Sequence, residues 1–339
     1  MKYLFLCCCL LFTAGISLIT RAQDNTPRET AKTFVSKGDY RNAIIVLNRA
    51  IEKDPVNPEL KKDLAFAHYL QGDYSKALGI AKPLVERADA DVQSYQLLGM
   101  CYKATDNSKE AEKMYRAALK KFPANGALHN EYGEILWSNA EFTNAIKQWE
   151  IGIASDPNYS GNYYNAAKYY YFSADKVWGL IYGEIFVNLE SFSKRTPEIK
   201  NLLLDGYKKL FSEPEMNKKQ DAKNAFVQAF LARMNEQSQA IANGVTPDAL
   251  SALRTRFLLN WFEKDAGRFP FRLFEYHRQL AKTGMFNAYN QWIFGAANDL
   301  SGFQQWIATH PEEYEKFNAF QKSRVFKLPE GQYYQGPIK

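Results

Sequence analysis

The chain has 339 residues, of which 46% are hydrophobic, 24% charged and 15% aromatic, with a formal charge of +6. That is a globular composition, long enough for two ordinary domains, and it excludes a disordered or low-complexity chain. The charge is spread along the sequence and falls to about +4 once Lys2 and Arg21 are removed, which argues against a nucleic-acid-binding surface.

Residues 1–22 predict a secretory signal peptide. Lys2 supplies the positive start, Tyr3–Ile19 is a mostly apolar run diluted by Thr13, Gly15 and Ser17, and Thr20-Arg21-Ala22 offers small residues for cleavage before Gln23. The run is about 17 residues, the lower edge of what spans a bilayer, and no later apolar stretch is long enough. The expectation is an exported protein, periplasmic or secreted, with a cleavage point of Gram-negative form and no membrane span after cleavage. Cys7, Cys8 and Cys9 lie inside the run, behind Phe5-Leu6, which do not fit a lipoprotein signal. Cys101 alone then remains, so no intramolecular disulfide forms. Its place on an apolar helix face predicts a buried small hydrophobe.

Beyond the leader, one interval repeats. Ala43, Ala77, Ala111 and Ala145 are spaced by 34 residues, as are Ala31, Ala65, Gly99 and Gly133, and Phe34, His68, Tyr102 and Leu136. The turns before the alanines align as Gly38-Asp39-Tyr40, Gly72-Asp73-Tyr74, Asp106-Asn107-Ser108 and Ala140-Glu141-Phe142, and Pro55, Pro123 and Pro157 close three of the four units. Small residues at fixed positions let two helices approach closely. The second unit departs from the pattern, with Pro83 inside its second helix and Leu84 where Ala50 and Ala118 stand. A fifth unit carries Ala167, Tyr170 and Gly179. Phe186 then replaces the small residue, and no 34-residue register is legible beyond Glu190.

This period and pattern resemble the tetratricopeptide repeat, a helix–turn–helix unit. The resemblance implies an all-α fold: a right-handed solenoid of four to five repeats over residues 23–175, followed by an irregular helical domain over 176–324 and an extended tail over 325–339. Four units exceed the roughly three needed to bury a continuous core.

The second half reads as helical throughout. Helices are expected from Thr196-Pro197-Glu198 to Phe211, over Asp221–Glu236, after Thr246-Pro247-Asp248, over Leu273–Lys282, Phe286–Phe294 and Leu300–Thr309, and after His310-Pro311. Ser212–Lys219 reads as a loop. The tail, with Pro329, Gly331, Gly336 and Pro337, reads as extended, with Tyr333-Tyr334 able to dock. This half is loosely similar to helical regions that follow such repeats in secreted bacterial proteins, which names no activity.

Nothing in the motifs predicts chemistry. His68, His129, His277 and His310 share no metal-ligand spacing. Glu275 and His277, two apart on a helix, point to different faces. No nucleophile elbow or glycine-rich phosphate loop occurs, so no catalytic residue, metal or cofactor is expected.

The resemblance implies a concave face lined by the first helices of successive repeats. Its rows would be Lys62, Gln96, Asn130 and Tyr164; Phe66, Met100, Glu134 and Lys168; and Tyr69, Lys103, Trp137 and Tyr171. Aromatics interleaved with Gln, Asn and Lys compose a recognition surface. From these rows Phe66, Tyr69, Gln96, Lys103, Asn130, Glu134, Trp137, Tyr164, Lys168 and Tyr171 are expected to contact a protein or peptide partner, unless the second half or the tail folds over them. Some members of the family clamp a terminal carboxylate with paired Lys and Asn. Here Arg28, Lys32 and Asp63 stand at the first matching positions, and Asp63 would repel a carboxylate. The expected function is therefore an exported scaffold or adaptor without catalysis. The alternative is an envelope protein that binds or processes carbohydrate, with Glu263, Glu275 or Glu313 as acids.

Overall fold

A computed structural model describes residues 26–212 and 223–336. The expected signal peptide, most of the expected loop after Ser212 and residues 337–339 of the expected tail lie outside the described residues. Among the described residues there are seventeen α-helices, a 3-10 turn at Ser238–Ile241 and no strand. None of these helices is long and apolar enough to cross a membrane. The chain divides into two compact units, Met1–Leu84 and Val85–Lys339.

The first unit contains α1 (Pro27–Ser36), α2 (Tyr40–Lys53), α3 (Pro58–Gln71) and most of α4 (Tyr74–Val85). Its helix starts are encoded locally. The Thr26 hydroxyl accepts from the Glu29 N–H while the Glu29 carboxylate accepts from the Thr26 N–H, a reciprocal cap, and Asp39 and Asn57 cap α2 and α3. Ala31 and Ala43 are almost completely buried, with Leu47, Leu64 and Ala67 beside them and Phe34 and Ile80 packed around. The small side chains set the helix spacing and the larger ones fill the remaining volume. Pro83 sits in the last turn of α4, where it removes the N–H that would donate to the Gly79 carbonyl.

The second unit begins with three helix pairs: α5 (Val92–Ala104) with α6 (Ser108–Lys121), α7 (Gly126–Ser138) with α8 (Phe142–Ser155), and α9 (Ser160–Phe172) with α10 (Lys176–Leu189). The repeated glycine of α7 has a steric cause. A Cβ at Gly133 would overlap the Trp149 indole, which packs flat against the helix and donates to the Asn130 carbonyl at 3.2 Å. The turns between paired helices need left-handed backbone at one position. Glycine supplies it at Gly38 and Gly72, but Asp106 (φ 55°) and Ala140 (φ 61°) adopt it with a side chain.

The first helices of the pairs also pack on one another, α5 on α7 and α7 on α9, and α11 (Thr196–Ser212) continues the series on α9. Contacts between these neighbours keep the repeat interval. Tyr164 donates to Glu198 and Tyr171 to Asp205, each 34 residues on. The packing register therefore extends one helix past the last residue at which the sequence pattern is legible.

The remaining helices are α12 (Ala225–Asn235), α13 (Pro247–Lys264), α14 (Arg272–Lys282), α15 (Phe286–Asn298), α16 (Leu300–Thr309) and α17 (Pro311–Ser323). Helix α15 packs against α11, α13, α14, α16 and α17, and Ala288–Gly295 are buried on every side, as a central helix requires. Phe226, Phe230, Phe257, Trp261 and Phe274 form an aromatic core among α12, α13 and α14.

Candidate functional site

The predicted contact residues fall in both units. In the first, Phe66 is 38% exposed and Tyr69 packs on Tyr74 with ring centroids 5.4 Å apart. There Arg28 Nε lies 2.5 Å from Asp63, and Glu59 pairs with both Arg28 and Lys62. Asp63 and Glu59 thus neutralise Arg28 within the chain.

In the second unit polar side chains link α5 to α7, α7 to α9 and α9 to α11. Gln96 donates to Glu131, and Lys103 Nζ lies 2.6 Å from Glu134. Asn130 and Asn165 both donate through Nδ2 to the Glu134 carboxylate, and Asn165 also donates to Asn130 Oδ1 at 2.9 Å. Lys168 reaches Glu198 at 2.8 Å and Tyr164 at 3.2 Å. Burial alone would lower the Lys168 ammonium, but Glu198 and Tyr164 outweigh it and raise its pKa. Tyr171 is held by Asp205, and its ring centroid lies 3.9 Å from Lys209 Nζ. Tyr164, Lys168 and Tyr171 are thus engaged by α11.

Trp137 is different. It lies in the last turn of α7, stays 37% exposed, and contacts Phe142, Trp149 and Tyr169 with centroids 4.7, 5.7 and 6.4 Å away. Beside it Glu134, Trp137, Trp149, Asn165, Lys168 and Phe172 line a pocket of about 210 Å³. Phe172 at its edge is 73% exposed. The pocket brings together three predicted residues, Glu134, Trp137 and Lys168, with three that sequence reading passed over. Phe172 carried a signal, an aromatic at the exposed end of a repeat helix. Trp149 and Asn165 were hidden by the expectation that only fixed rows face the groove.

Several of the histidines and acids have structural partners. His129 bonds Gln148 at 3.0 Å and the Pro123 carbonyl at 2.9 Å. His310 stands at the start of α17, but its ring bonds Trp306 and Thr309 and does not cap that helix. Glu313 accepts from the Ala288 N–H in the first turn of α15. Cys101 is buried, and burial pushes its thiol up to about 11. Among the described residues no group of three or more His, Cys, Asp or Glu is placed to hold a metal ion.

One polar cluster was not anticipated. Glu184 of α10, Arg254 of α13 and His277 of α14 meet in the core; His277 Nε2 is 2.9 Å from Glu184, and Tyr289 donates to the same carboxylate at 2.9 Å. Burial works to raise the Glu184 carboxyl, but Arg254 and His277 outweigh it and bring it down to about 2. Burial lowers the His277 pKa, against the opposing pull of Glu184. Sequence pairing of Glu275 with His277 missed this because the true partner comes from a distant helix. A charged residue inside the apolar face Leu250, Leu253, Phe257 was the available signal.

The tail is docked. Leu328 exchanges two hydrogen bonds with the Asn158 side chain, Gln332 accepts from the Arg272 N–H, and Asn224 donates to the Tyr334 carbonyl. The Tyr334 ring stacks on Phe226 at 4.8 Å. This strap joins the α8–α9 corner to α12 and α14.

Two family models, each described as tetratricopeptide repeat, match residues 34–101 and 98–160. No curated protein matches the chain. Among solved structures it is similar to a thermophilic TPR protein of Thermus thermophilus, at 19% identity and a TM-score of 0.45, covering 52% of this chain and 97% of that one. It is similar to MamA from Desulfovibrio magneticus at 14% identity and a TM-score of 0.39, covering 49% and 92%. A tetratricopeptide repeat protein from Parabacteroides merdae gives 15% identity and a TM-score of 0.38, covering 80% and 97%.

Proposed function

We propose, from the two tetratricopeptide-repeat matches over residues 34–101 and 98–160, that the chain is an exported adaptor that binds a protein or peptide on the face carried by the first helices of its repeats. The observation that carries this reading is the exposed aromatic pocket around Trp137, open between α7, α8 and α9. An apolar surface of this kind, ringed by polar groups, favours a partner over water. The apolar leader over residues 1–22 supports export to the periplasm or beyond. No reaction is assigned.

The test is capture of a partner from a cell-envelope extract by the full chain and by a Trp137→Ala, Tyr171→Ala double variant. The reading expects capture by the parent, and its loss in the variant while the helical circular dichroism at the assay temperature is retained. Equal capture by both would refute it. Cell fractionation, with the leader intact or deleted, tests export.

A further inference from the structure

The pocket beside Trp137 has a chemistry that narrows what can enter it. Its two charged lining residues are already paired within the chain, Glu134 with Lys103 at 2.6 Å and Lys168 with Glu198 at 2.8 Å. Both Glu134 oxygens are used, one by Lys103 and the other by the Asn130 and Asn165 amides. A charged ligand group would therefore meet charges that are already matched within the chain. The walls are rings: Trp137 and Phe172 partly open to solvent, with Trp149 as a buried floor. Since a carboxylate only accepts, the Asn165 amide nitrogen must face Glu134. Its carbonyl oxygen then remains, and among the described residues no donor bonds to it. The volume, about 210 Å³, lies below the roughly 300 Å³ at which sites for small-molecule ligands begin. It suits one side chain rather than a cofactor.

From this geometry we infer that the pocket is an anchor site for one uncharged aromatic side chain of a peptide, with Asn165 Oδ1 accepting a hydrogen bond from that peptide. Ring walls favour an aromatic guest over an aliphatic one through edge-to-face contact. Because the lining charges are neutralised internally, recognition is insensitive to salt. The inference rests on the reading that this face binds a peptide and specifies what the peptide must present.

The test is selection of a random peptide library on the full chain, followed by fluorescence anisotropy of a selected peptide. The expected consensus contains one Trp, Tyr or Phe with no required charge. Affinity should fall about tenfold in Phe172→Ala and in Asn165→Ala and change little between low and high salt. Phe172 is exposed enough that its truncation leaves folding intact, so loss of binding there reads the pocket directly. A consensus built on acidic or basic residues, lost in Lys103→Ala or Tyr171→Ala but kept in Phe172→Ala, overturns the anchor while the peptide-binding face stands. If no peptide is selected, or if an N-acetylglucosamine oligomer binds and is lost in Phe172→Ala, the anchor and the peptide reading fall together.

Discussion

Tyr171 donates its phenolic hydrogen to Asp205 at 2.6 Å, one repeat length further along the chain. The bond joins α9 to α11 at the position where earlier repeats join their own neighbours, and it makes α11 a structural member of the series. Tyr171→Phe should lower unfolding stability by about 1 kcal/mol, the usual net value of one hydrogen bond. In a double-mutant cycle with Asp205→Ala the two losses should not add. Urea denaturation of the four proteins measures the coupling, and strict additivity would show that the contact does not hold α11 in place.

Ala140 holds a left-handed turn position that glycine occupies at Gly38 and Gly72. An L side chain in that conformation costs about 1 kcal/mol. Ala140→Gly should therefore raise stability by somewhat less, since glycine also loses more chain entropy on folding. The same substitution at Ala111, on the close-packed side of α6, should destabilise. A higher melting midpoint for the first and a lower one for the second is the expected pair of results.

Glu150 is buried on α8, accepts from Tyr170 and faces Asp175, Tyr182 and the strap's Tyr333. Burial, and then the Asp175 charge, push its carboxyl up to about 7. A carboxyl raised on folding favours the folded state while protonated. Its contribution is complete below the unfolded value, fades as pH rises between about 4.5 and about 7, and amounts to a loss on the order of 3 kcal/mol. His277, lowered by burial, acts in the opposite sense over part of that range, so the informative comparison is with Glu150→Gln. That variant should narrow the difference in urea midpoint between pH about 5 and pH about 8. An unchanged pH profile would remove Glu150 as its source.

The strap is anchored by Tyr334, whose ring stacks on Phe226 and whose hydroxyl donates to the Pro270 carbonyl at 2.6 Å. Tyr334→Ala should cost about 2–3 kcal/mol, from lost aromatic burial and one hydrogen bond. Hydrogen exchange should rise at Leu328, whose N–H is held by Asn158 at 2.9 Å, and at Arg272, whose N–H is held by Gln332 at 2.6 Å. Protection unchanged at both would mean that the strap docks without this anchor.

What the sequence determined by itself is the repeat. Small residues at positions such as Ala31, Ala43 and Gly133 recur because two helices must touch there. Caps such as Thr26, Asn57 and Thr246 act within a turn of their own residue, so they are legible without the fold. The same local signals placed the start of α13 and the limits of α16. Tertiary structure alone decided which side chains remain available. Lys103, Tyr164, Lys168 and Tyr171 share the predicted face with Trp137, yet their partners come from the next helix, at a distance no local pattern encodes. It also decided that Glu184, Arg254 and His277 meet, and that the tail binds the α8–α9 corner. Such pairings depend on how helices far apart in sequence are brought together. A periodic pattern records only that each helix has a face to bury.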